Sequence, residues 1–262
     1  MKHDEVLRQE SEALARSGYR ERVLVGSNLS AYRKESGESF ADAIEAACAP
    51  EEIARVRLGS LEPDHITDDL IERMAKIPKL CGQFHISLQS GCDRTLRHMN
   101  SHYTDAEYAE RCGKLRAAFP DCTLTTDMMV GSPGETETDV SESVTFAKRI
   151  GVEKIRDFPY SVRPGTRAAQ FPDQIEKAEK ERRAALLLNT AEELRQGFLH
   201  RQVGKTVEVL SESRTRGGRF FGYTANYTPV RFTGGVNTAG ELVHVHITGV
   251  GADCTEGELV SQ

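Results

Sequence analysis

The chain has 262 residues, with 34 lysines and arginines against 40 aspartates and glutamates and a formal net charge of −6. This length allows one large domain, or a large and a small one, whose core needs no disulfide or metal for stability. Mild acidity argues against nucleic-acid binding through bulk charge, without excluding a local basic patch. No apolar run approaches the ~20 residues of a membrane span, so we expect a cytoplasmic protein with no membrane partner.

Five short segments of β-branched or apolar residues, bounded by Gly, Pro or Ser, are predicted strands. They cover 21–26, 54–60, 83–89, 122–130 and 153–159. Predicted helices cover 4–17, 39–48, 67–77, a segment that begins at Thr104, and 136–150. Strands that alternate with helices indicate a parallel α/β sheet. Five strands are too few for an eight-stranded barrel, so a partial barrel, an open sheet and a missed strand are all compatible with the pattern.

The pattern changes after residue 170. A long helix rich in Lys, Glu and Arg is predicted between 171 and 202. Short strands with Gly-rich turns follow over 203–262 and predict a small antiparallel β-barrel. We therefore divide the chain into an α/β domain (1–170), a linker helix (171–202) and a barrel (203–262).

Basic side chains flank aromatic ones in the barrel segment. The residues concerned are Lys205, Arg214, Arg219, Tyr223, Tyr227 and Arg231. Basic side chains suit phosphate groups and aromatic rings stack on bases, so this set predicts a nucleic-acid surface. The alternative is an ordinary solvated face of a small barrel.

Small and polar residues follow every predicted strand of the α/β domain. They include Gly26, Asn28, Ser60, Glu62, Gln89, Ser90, Gly131 and Tyr160. In parallel α/β folds ligands bind at the carboxyl ends of the strands, and five such loops on one face favour a ligand site. Each polar residue could instead cap the helix that follows it.

Several motifs together resemble the radical S-adenosylmethionine (SAM) methylthiotransferases. The motifs are RVRLGSLEPD (55–64), HISLQSGCD (85–93), TDMMVGSPGET (126–136), FPYS (158–161) and PGTRAA (164–169). The C-terminal segment is similar to the RNA-binding TRAM barrel of those enzymes. Segments 28–32 and 88–93 most resemble the branch that methylthiolates threonylcarbamoyladenosine beside the tRNA anticodon. Sister branches act on isopentenyl-adenosine or on a ribosomal protein.

The resemblance implies a partial (βα) barrel, SAM as cofactor and tRNA as partner. In the family a [4Fe-4S] cluster held by three thiolates binds SAM and generates a 5′-deoxyadenosyl radical, and a methylthio group is added at adenine C2. Matched motifs assign cofactor contacts as follows: Gly26 and Asn28 to the SAM methionine group; Ser60, Glu62, Gln89 and Ser90 to the SAM pocket; Asp127 and Gly131 to the adenosine; Tyr160 to the pocket wall. No catalytic residue is assignable.

The cysteines depart from the family. Six are scattered over the chain, no two form a CxxC pair, and the family's CxxxCxxC motif is absent. We therefore assign no metal ligands and expect a C-terminal part of such an enzyme that is inactive alone. A missing N-terminal region or a separate chain would supply the cluster loop, and the first strand would keep an unpaired edge. The alternatives are a non-catalytic RNA-binding remnant and an unrelated metal-independent α/β enzyme.

Overall fold

The computed structural model describes residues 4–26, 29, 32, 39–214, 218–234 and 238–260, except for the side chain of Arg214. The helices are α1 (Asp4–Arg16), α2 (Phe40–Cys48), α3 (Asp68–Ala75), α4 (Asp93–His98), α5 (Asp105–Ala118), α6 (Glu137–Ile150) and α7 (Lys177–His200). The strands of the first domain are β1 (Glu21–Leu24), β2 (Arg55–Leu58), β3 (Ser60–Leu61), β4 (Gln83–Ile86), β5 (Thr123–Val130) and β6 (Lys154–Pro159). Those of the second are β7 (Thr206–Arg214), β8 (Phe220–Thr224), β9 (Pro229–Thr233), β10 (Leu242–Val250) and β11 (Thr255–Leu259).

Every strand pair of the first domain is parallel, which confirms the predicted sheet. The predicted strand 54–60 is divided at Gly59 into β2, which pairs with β1, and β3, which pairs with β4. The N–H of Gly59 donates to the carbonyl of Leu24 at 2.8 Å, and a Cβ there would lie 3.2 Å from that oxygen. This local break changes which face the side chains point to, so Arg57 and Ser60 lie on the same face.

The sheet has one face covered by helices and one without them. In β5, Leu124, Thr126 and Met128 are buried while Thr125 and Asp127 are only half-buried. Strand residues alternate between faces, so the first group packs under the helices and the second faces away from them. We call this second face, which carries His85, Thr125, Asp127 and Arg156, the open face.

Helix boundaries follow local capping chemistry. Capping boxes open α2, α5 and α6, formed by Ser39 with Asp42, Thr104 with Glu107 and Thr136 with Asp139. Gly151 ends α6 with a φ of 65°, a left-handed conformation that glycine adopts without a Cβ penalty. The short helix α4 was not among the predicted helices.

Helix α7 connects the two domains. It has 24 residues, about 36 Å at 1.5 Å per residue, and Gly197 does not interrupt it. It packs along β6, and its Leu187 and Ala191 join the core of the first domain. In the part of the chain that the structure describes, no helix is both long and apolar enough to cross a bilayer.

The second domain is a closed barrel with the strand order β10-β11-β9-β8-β7. Val209, Phe220, Val230, Phe232 and Val245 form its core. The prediction of a purely antiparallel barrel was wrong, because β9 and β11 run parallel. Five strands in a ring cannot all alternate in direction, so a closed five-stranded barrel needs a parallel pair.

The barrel docks on the sheet through the β8–β9 turn. Arg55 donates to the carbonyl of Tyr223 at 2.7 Å, and Arg57 donates to the carbonyl of Ala225 at 3.0 Å. Both arginines are buried and pair with Glu21 of β1. The hydroxyl of Thr123 donates to the carbonyl of Asn226 at 2.7 Å. The turn therefore lies against the open face near the amino ends of β2 and β5.

Candidate functional site

A cavity of about 560 Å³ lies at the carboxyl ends of β4, β5 and β6, on the open face. Its lining includes Gln89, Asp127, Met129, Phe158, Tyr160 and Arg163. This is the edge at which parallel α/β sheets bind ligands, and the volume suits a small polar molecule. Three residues predicted as cofactor contacts, Gln89, Asp127 and Tyr160, are brought together here.

Gln89 holds a strained backbone conformation at this cavity. Its φ is 65°, which costs a non-glycine residue roughly 1–2 kcal/mol. Its N–H donates to the carbonyl of Asp127 at 2.9 Å, and its carbonyl accepts from the N–H of Met129 at 2.8 Å. These two bonds to β5 hold the strain in place. Strain of this kind concentrates at ligand sites, which supports the predicted role of Gln89.

Tyr160 places an unsatisfied hydroxyl beside the cavity. Its hydroxyl oxygen is buried and has no hydrogen-bond partner among the described residues. The Nζ of Lys180, on α7, lies 4.9 Å from the centre of its ring. A buried hydroxyl without a partner is costly, so this geometry fits a ligand that supplies the missing hydrogen bond.

Asp127 lines the cavity, and its carboxylate already accepts hydrogen bonds from another side chain of the protein. Arg156 of β6 donates to its two oxygens at 2.6 and 2.9 Å. The Nε2 of His85 lies 3.4 Å from Oδ1, and burial lowers the pKa of this histidine. The carboxylate thus anchors a polar network across β4, β5 and β6, whereas the resemblance assigns it to the adenosine.

Gly131 leaves room for α7. Its φ is 78°, and a Cβ there would lie 2.5 Å from the Cγ of Lys180. Its N–H donates to the carboxylate of Glu135 at 2.5 Å. Burial raises the pKa of Glu135, whose carboxylate also accepts from Arg183 of α7 at 3.0 Å. The loop between 131 and 135 is therefore bound to α7, and the contacts of Gly131 are with that helix.

The predicted serine contacts lie apart from the cavity. Ser90 is fully buried, with its hydroxyl 3.0 Å from that of Ser143 in α6. The Ser90 hydroxyl also accepts from the N–H of Cys92 at 3.2 Å. These contacts stabilise the loop before α4 and do not reach the cavity. Ser60 is exposed on the open face. Burial and the charge of Asp64 raise the pKa of Glu62, which follows β3.

Gly26 belongs to a different groove of about 560 Å³, between α1 and β1. A Cβ on Gly26 would lie 3.0 Å from the side chain of Leu29. Asn28 lies outside the described residues. The predicted set thus divides: Gln89, Asp127 and Tyr160 line the cavity, Gly26 lines this groove, Ser90 and Gly131 have packing contacts, and Ser60 and Glu62 line neither space.

Two of the predicted stacking residues of the barrel stack on each other. The ring centres of Tyr223 and Tyr227 lie 4.3 Å apart, and the guanidinium of Arg57 lies 4.6 Å from the centre of the Tyr227 ring. Tyr227 is nevertheless 41% exposed. It therefore stays a proposed RNA contact, next to the domain interface.

The predicted basic residues of the barrel do not form one patch. Arg219 and Arg231 both pair with Glu256, at 3.2 and 3.0 Å, which reduces their local charge. Lys205 lines a groove of about 720 Å³ between the barrel and the amino ends of the sheet. The side chain of Arg214 lies outside the described residues.

Comparison with known families decides the assignment. The model of the radical SAM superfamily matches residues 1–147. The chain belongs to the radical SAM superfamily. The model of the TRAM domain matches residues 200–260, which correspond to the barrel and the end of α7.

Curated relatives of this radical SAM chain match it along nearly its whole length. It is 34% identical over 260 residues to a tRNA-2-methylthio-N(6)-dimethylallyladenosine synthase of Clostridium botulinum. It is 35% identical over 261 residues to the enzyme of that name from Acetivibrio thermocellus. Each match covers 98% of this chain, but the chain spans only 58% and 54% of those relatives. The predicted resemblance to the methylthiotransferases is confirmed, whereas the expected closeness to the threonylcarbamoyladenosine branch is not, since these relatives carry the dimethylallyladenosine name.

Solved structures support the fold. Coproporphyrinogen III oxidase (HemN) of Escherichia coli, a radical SAM enzyme, superposes with a TM-score of 0.55 at 11% identity. The match covers 93% of this chain and 58% of that one. The radical SAM methyltransferase TsrM of Kitasatospora setae gives a TM-score of 0.50 at 14% identity over 61% of this chain and 31% of that one. At these identities the likeness shows the fold alone.

The cysteines of this radical SAM chain do not fit the [4Fe-4S] cluster that the family implies. Five are buried and Cys48 is half-buried, and no two are adjacent in a ligand motif. Burial raises the pKa of every thiol: to about 11 for Cys48, Cys81, Cys92 and Cys122, to about 12 for Cys112, and above its usual value for Cys254. The family's cluster takes three thiolates at close sequence spacing, and no two of these cysteines form even a CxxC pair.

One ligand-like cluster occurs among the described residues, formed by Cys92, Asp139 and Glu142. It contains a single thiol, and its Asp139 is already paired with Arg94. A three-thiolate cluster site is therefore not present in the described part of the chain.

The sequence analysis missed residues that the structure brings to the site. Lys154 and Arg156 of β6 share the open face with Phe158, which belongs to the matched FPYS motif, and Lys180 of α7 lies over the ring of Tyr160. Lys154 and Arg156 have the i, i+2 spacing that places two strand residues on one face, so their shared face was readable from the sequence, although Asp157 breaks a strict polar–apolar alternation. The place of Lys180 depends on how α7 packs, which local sequence does not show.

Proposed function

We propose that this chain is the cofactor- and RNA-binding part of a tRNA methylthiotransferase, which adds a methylthio group to C2 of a modified adenosine beside the anticodon. The observation that carries the proposal is the identity of 34–35% along 98% of the chain to enzymes of that name. A radical SAM domain followed by a TRAM domain supports it. The cavity with its unpartnered Tyr160 hydroxyl is the proposed place for SAM.

Gln89 and Tyr160 are the residues that we assign most directly to the cofactor, because both line the cavity and neither role is explained by packing. Gly26, Asn28, Ser60 and Glu62 stay as proposed contacts on the motif resemblance. Asp127 lines the cavity and is held in place by its ion pair with Arg156.

The thiolates for the cluster come, in this proposal, from polypeptide outside these 262 residues. The described strands pair β1 with β2 alone, so the other edge of β1 is open. The groove beside that edge carries the exposed side chains of Val23 and Val25. An edge strand with exposed apolar residues readily takes another strand. A further strand, from a longer form of this chain or from a separate one, would close it.

The modified base is proposed to be dimethylallyl-adenosine. The curated relatives carry that name, and Met129, Phe158 and Pro159 give the cavity an apolar side suited to an isoprenoid group. Threonylcarbamoyl-adenosine is the second candidate. The exposed Arg163 at the same cavity favours it, because a guanidinium pairs well with the threonyl carboxylate.

Base identity is tested by fluorescence anisotropy with three anticodon stem-loops, which carry dimethylallyl-, threonylcarbamoyl- or unmodified adenosine. We expect the dimethylallyl stem-loop to bind about tenfold more tightly than the unmodified one, since burial of a few methyl groups suffices for that ratio. Tightest binding of the threonylcarbamoyl stem-loop, weakened by Arg163→Gln, would favour the second candidate. Equal binding of all three would contradict a modified-base site.

Dependence on external thiolates is tested by anaerobic reconstitution with iron and sulfide. The full-length Clostridium botulinum relative is the positive control. We expect this chain alone to show no cluster absorbance and to release no 5′-deoxyadenosine from SAM. A cluster spectrum with SAM-dependent deoxyadenosine release from the chain alone would show that its own cysteines suffice.

A non-catalytic RNA-binding protein is the rival function, and the misfit of the six cysteines favours it. The two differ in SAM binding. The missing strand and cluster loop are first supplied as a separate polypeptide with the reconstituted cluster. Our proposal then expects equilibrium dialysis to detect SAM bound to the chain, and expects Gln89→Ala to lose this binding. A chain that binds RNA and never SAM would be an RNA-binding remnant.

A further inference from the structure

The open face carries a line of cations beside the cavity. Lys154 and Arg156 lie two residues apart on β6, so their side chains point to the same face about 6.7 Å apart along the strand. Arg195 comes from α7, the helix packed along β6. We call Lys154, Arg156 and Arg195 the β6 cation strip.

The strip concentrates positive charge on a protein whose net charge is −6. Partial burial lowers the pKa of Lys154, as do the neighbouring charges of Arg195 and Arg156. In the described ranges neither Lys154 nor Arg195 has a carboxylate within 4 Å, while Arg156 is paired with Asp127. Two mutually repelling cations without counter-ions are suited to an external anion.

The strip runs from the cavity to the barrel. Phe158 follows Arg156 by two residues on the same strand, lines the cavity and is 48% exposed. At the other end, Arg195 donates to the carbonyl of Asp253, in the connection between β10 and β11. A ligand that crossed this surface would reach the cavity and the barrel at the same time.

We propose that the β6 cation strip binds the backbone of single-stranded RNA, with Lys154 and Arg195 contacting phosphates and Phe158 stacking on a base at the cavity entrance. An exposed aromatic ring in line with cations is the arrangement that binds single strands. This inference rests on the proposed tRNA substrate and adds where the RNA lies. It adds β6 and α7 to the RNA contacts predicted for the barrel.

The test compares two double variants of the 262-residue chain with equal loss of charge. Lys154→Gln with Arg195→Gln removes the two unpaired cations and keeps much of each side chain. Arg111→Gln with Lys114→Gln, on α5, is the control, because both cations there pair with Asp68 on the helix-covered side. Binding of the dimethylallyl anticodon stem-loop is measured by anisotropy across a series of salt concentrations, after circular dichroism has shown native folding.

We expect the strip variant to bind the stem-loop about tenfold more weakly than the wild type. The slope of log K against log salt concentration should be shallower by about 1.4, which is about 0.7 for each of two lost phosphate contacts. The control variant keeps the wild-type affinity and slope. If the wild-type chain binds the stem-loop and the strip variant matches it in both quantities, the inference is wrong and the proposed function stands. If the wild-type chain does not bind tRNA stem-loops at all, the proposed function itself fails.

Lysine acetylation footprinting gives a second readout that does not depend on a variant. Bound RNA should protect Lys154 from acetylation and leave Lys114 reactive, since Lys114 pairs with Asp68 on the helix-covered side. Protection of Lys205 with no protection of Lys154 would place the RNA in the groove between the barrel and the sheet. The proposal that the β6 cation strip binds RNA would then be wrong.

Discussion

At the scale of single residues, the hydrogen-bond partner of each polar side chain decides whether it is available to a ligand. Ser90, in the loop after β4, and Asp127, within β5, have the residue types expected of ligand contacts, yet Ser143 and Arg156 already satisfy them. The buried hydroxyl of Tyr160, in contrast, has no hydrogen-bond partner among the described residues. This difference follows from side chains far apart in sequence.

The unpartnered hydroxyl leads to a prediction for Tyr160→Phe. Without ligand, removing it should leave the free energy of unfolding unchanged or raise it by up to about 1 kcal/mol, because an unsatisfied buried group is lost. Tyr103→Phe is the matched control. The Tyr103 hydroxyl lies 3.0 Å from the carbonyl oxygens of Ser87 and Leu88, so that variant should lose about 1 kcal/mol. Urea denaturation measures both, and equal losses would mean that Tyr160 also has a partner.

A second prediction concerns Asp139 and acid stability. This buried carboxylate accepts hydrogen bonds from Arg94 and from the N–H and hydroxyl of Thr136, which hold its pKa below the usual value. Its contribution is complete above the unfolded-state pKa of about 3.9 and is lost as the pH falls through the lower folded-state pKa.

Asp139→Asn should therefore cost about 2 kcal/mol in urea unfolding at pH 7, and the difference from wild type should shrink below about pH 4. Asp69→Asn, an exposed position in α3, is the control and should change stability by less than about 0.5 kcal/mol. A wild-type advantage that stays constant from pH 7 to pH 3 would show that the carboxylate charge is not what stabilises this site.

At the scale of elements, local sequence patterns located the strands and helices well. The five strand segments, the capping box of Thr104 with Glu107 and the stop at Gly151 are all observed. Periodicity and capping depend on neighbours in sequence, so they are readable without the fold. The division at Gly59 and the parallel pair of β9 with β11 depend on strands elsewhere in the chain, and local pattern did not show them.

The barrel offers an element-scale prediction at Gly222 of β8. A Cβ there would lie 1.9 Å from the carbonyl oxygen of Leu210, so Gly222→Ala must displace β7 from β8. We expect a loss of at least about 3 kcal/mol in the unfolding free energy. Gly249→Ala in β10 has open space around the new methyl group and should change stability by less than about 1 kcal/mol. Thermal unfolding of the two variants distinguishes them, and similar melting temperatures would contradict the close strand approach.

At the scale of the whole molecule, buried arginines join the two domains. Arg57 pairs with Glu21, donates to the carbonyls of Thr224 and Ala225, and lies over the ring of Tyr227. Because the contact buries charge, it is specific in geometry and sensitive to the loss of one partner. It holds the barrel at one end of the open face, with the cavity at the other.

Arg57→Ala should therefore uncouple the domains. We expect the free energy of unfolding to fall by about 3 kcal/mol. In calorimetry the wild type should show a single unfolding transition and the variant two. Arg20→Ala, which removes an exposed arginine one residue before β1, should leave one transition near the wild-type temperature. Wild-type unfolding of Arg57→Ala would mean that the docking depends on other contacts of the turn.

The sequence by itself determined the element order, the presence of two domains and the family, because these rest on periodicity, capping and motif spacing. It also placed Gln89 and Tyr160 in one strand-end group, while the motif resemblance assigned Asp127 to the same cofactor. Only the tertiary structure decided which of these side chains is free for a ligand, that Arg57 lies against the ring of Tyr227, and that Lys154 and Arg195 share a surface. Those outcomes depend on packing between residues distant in sequence, which no local pattern specifies.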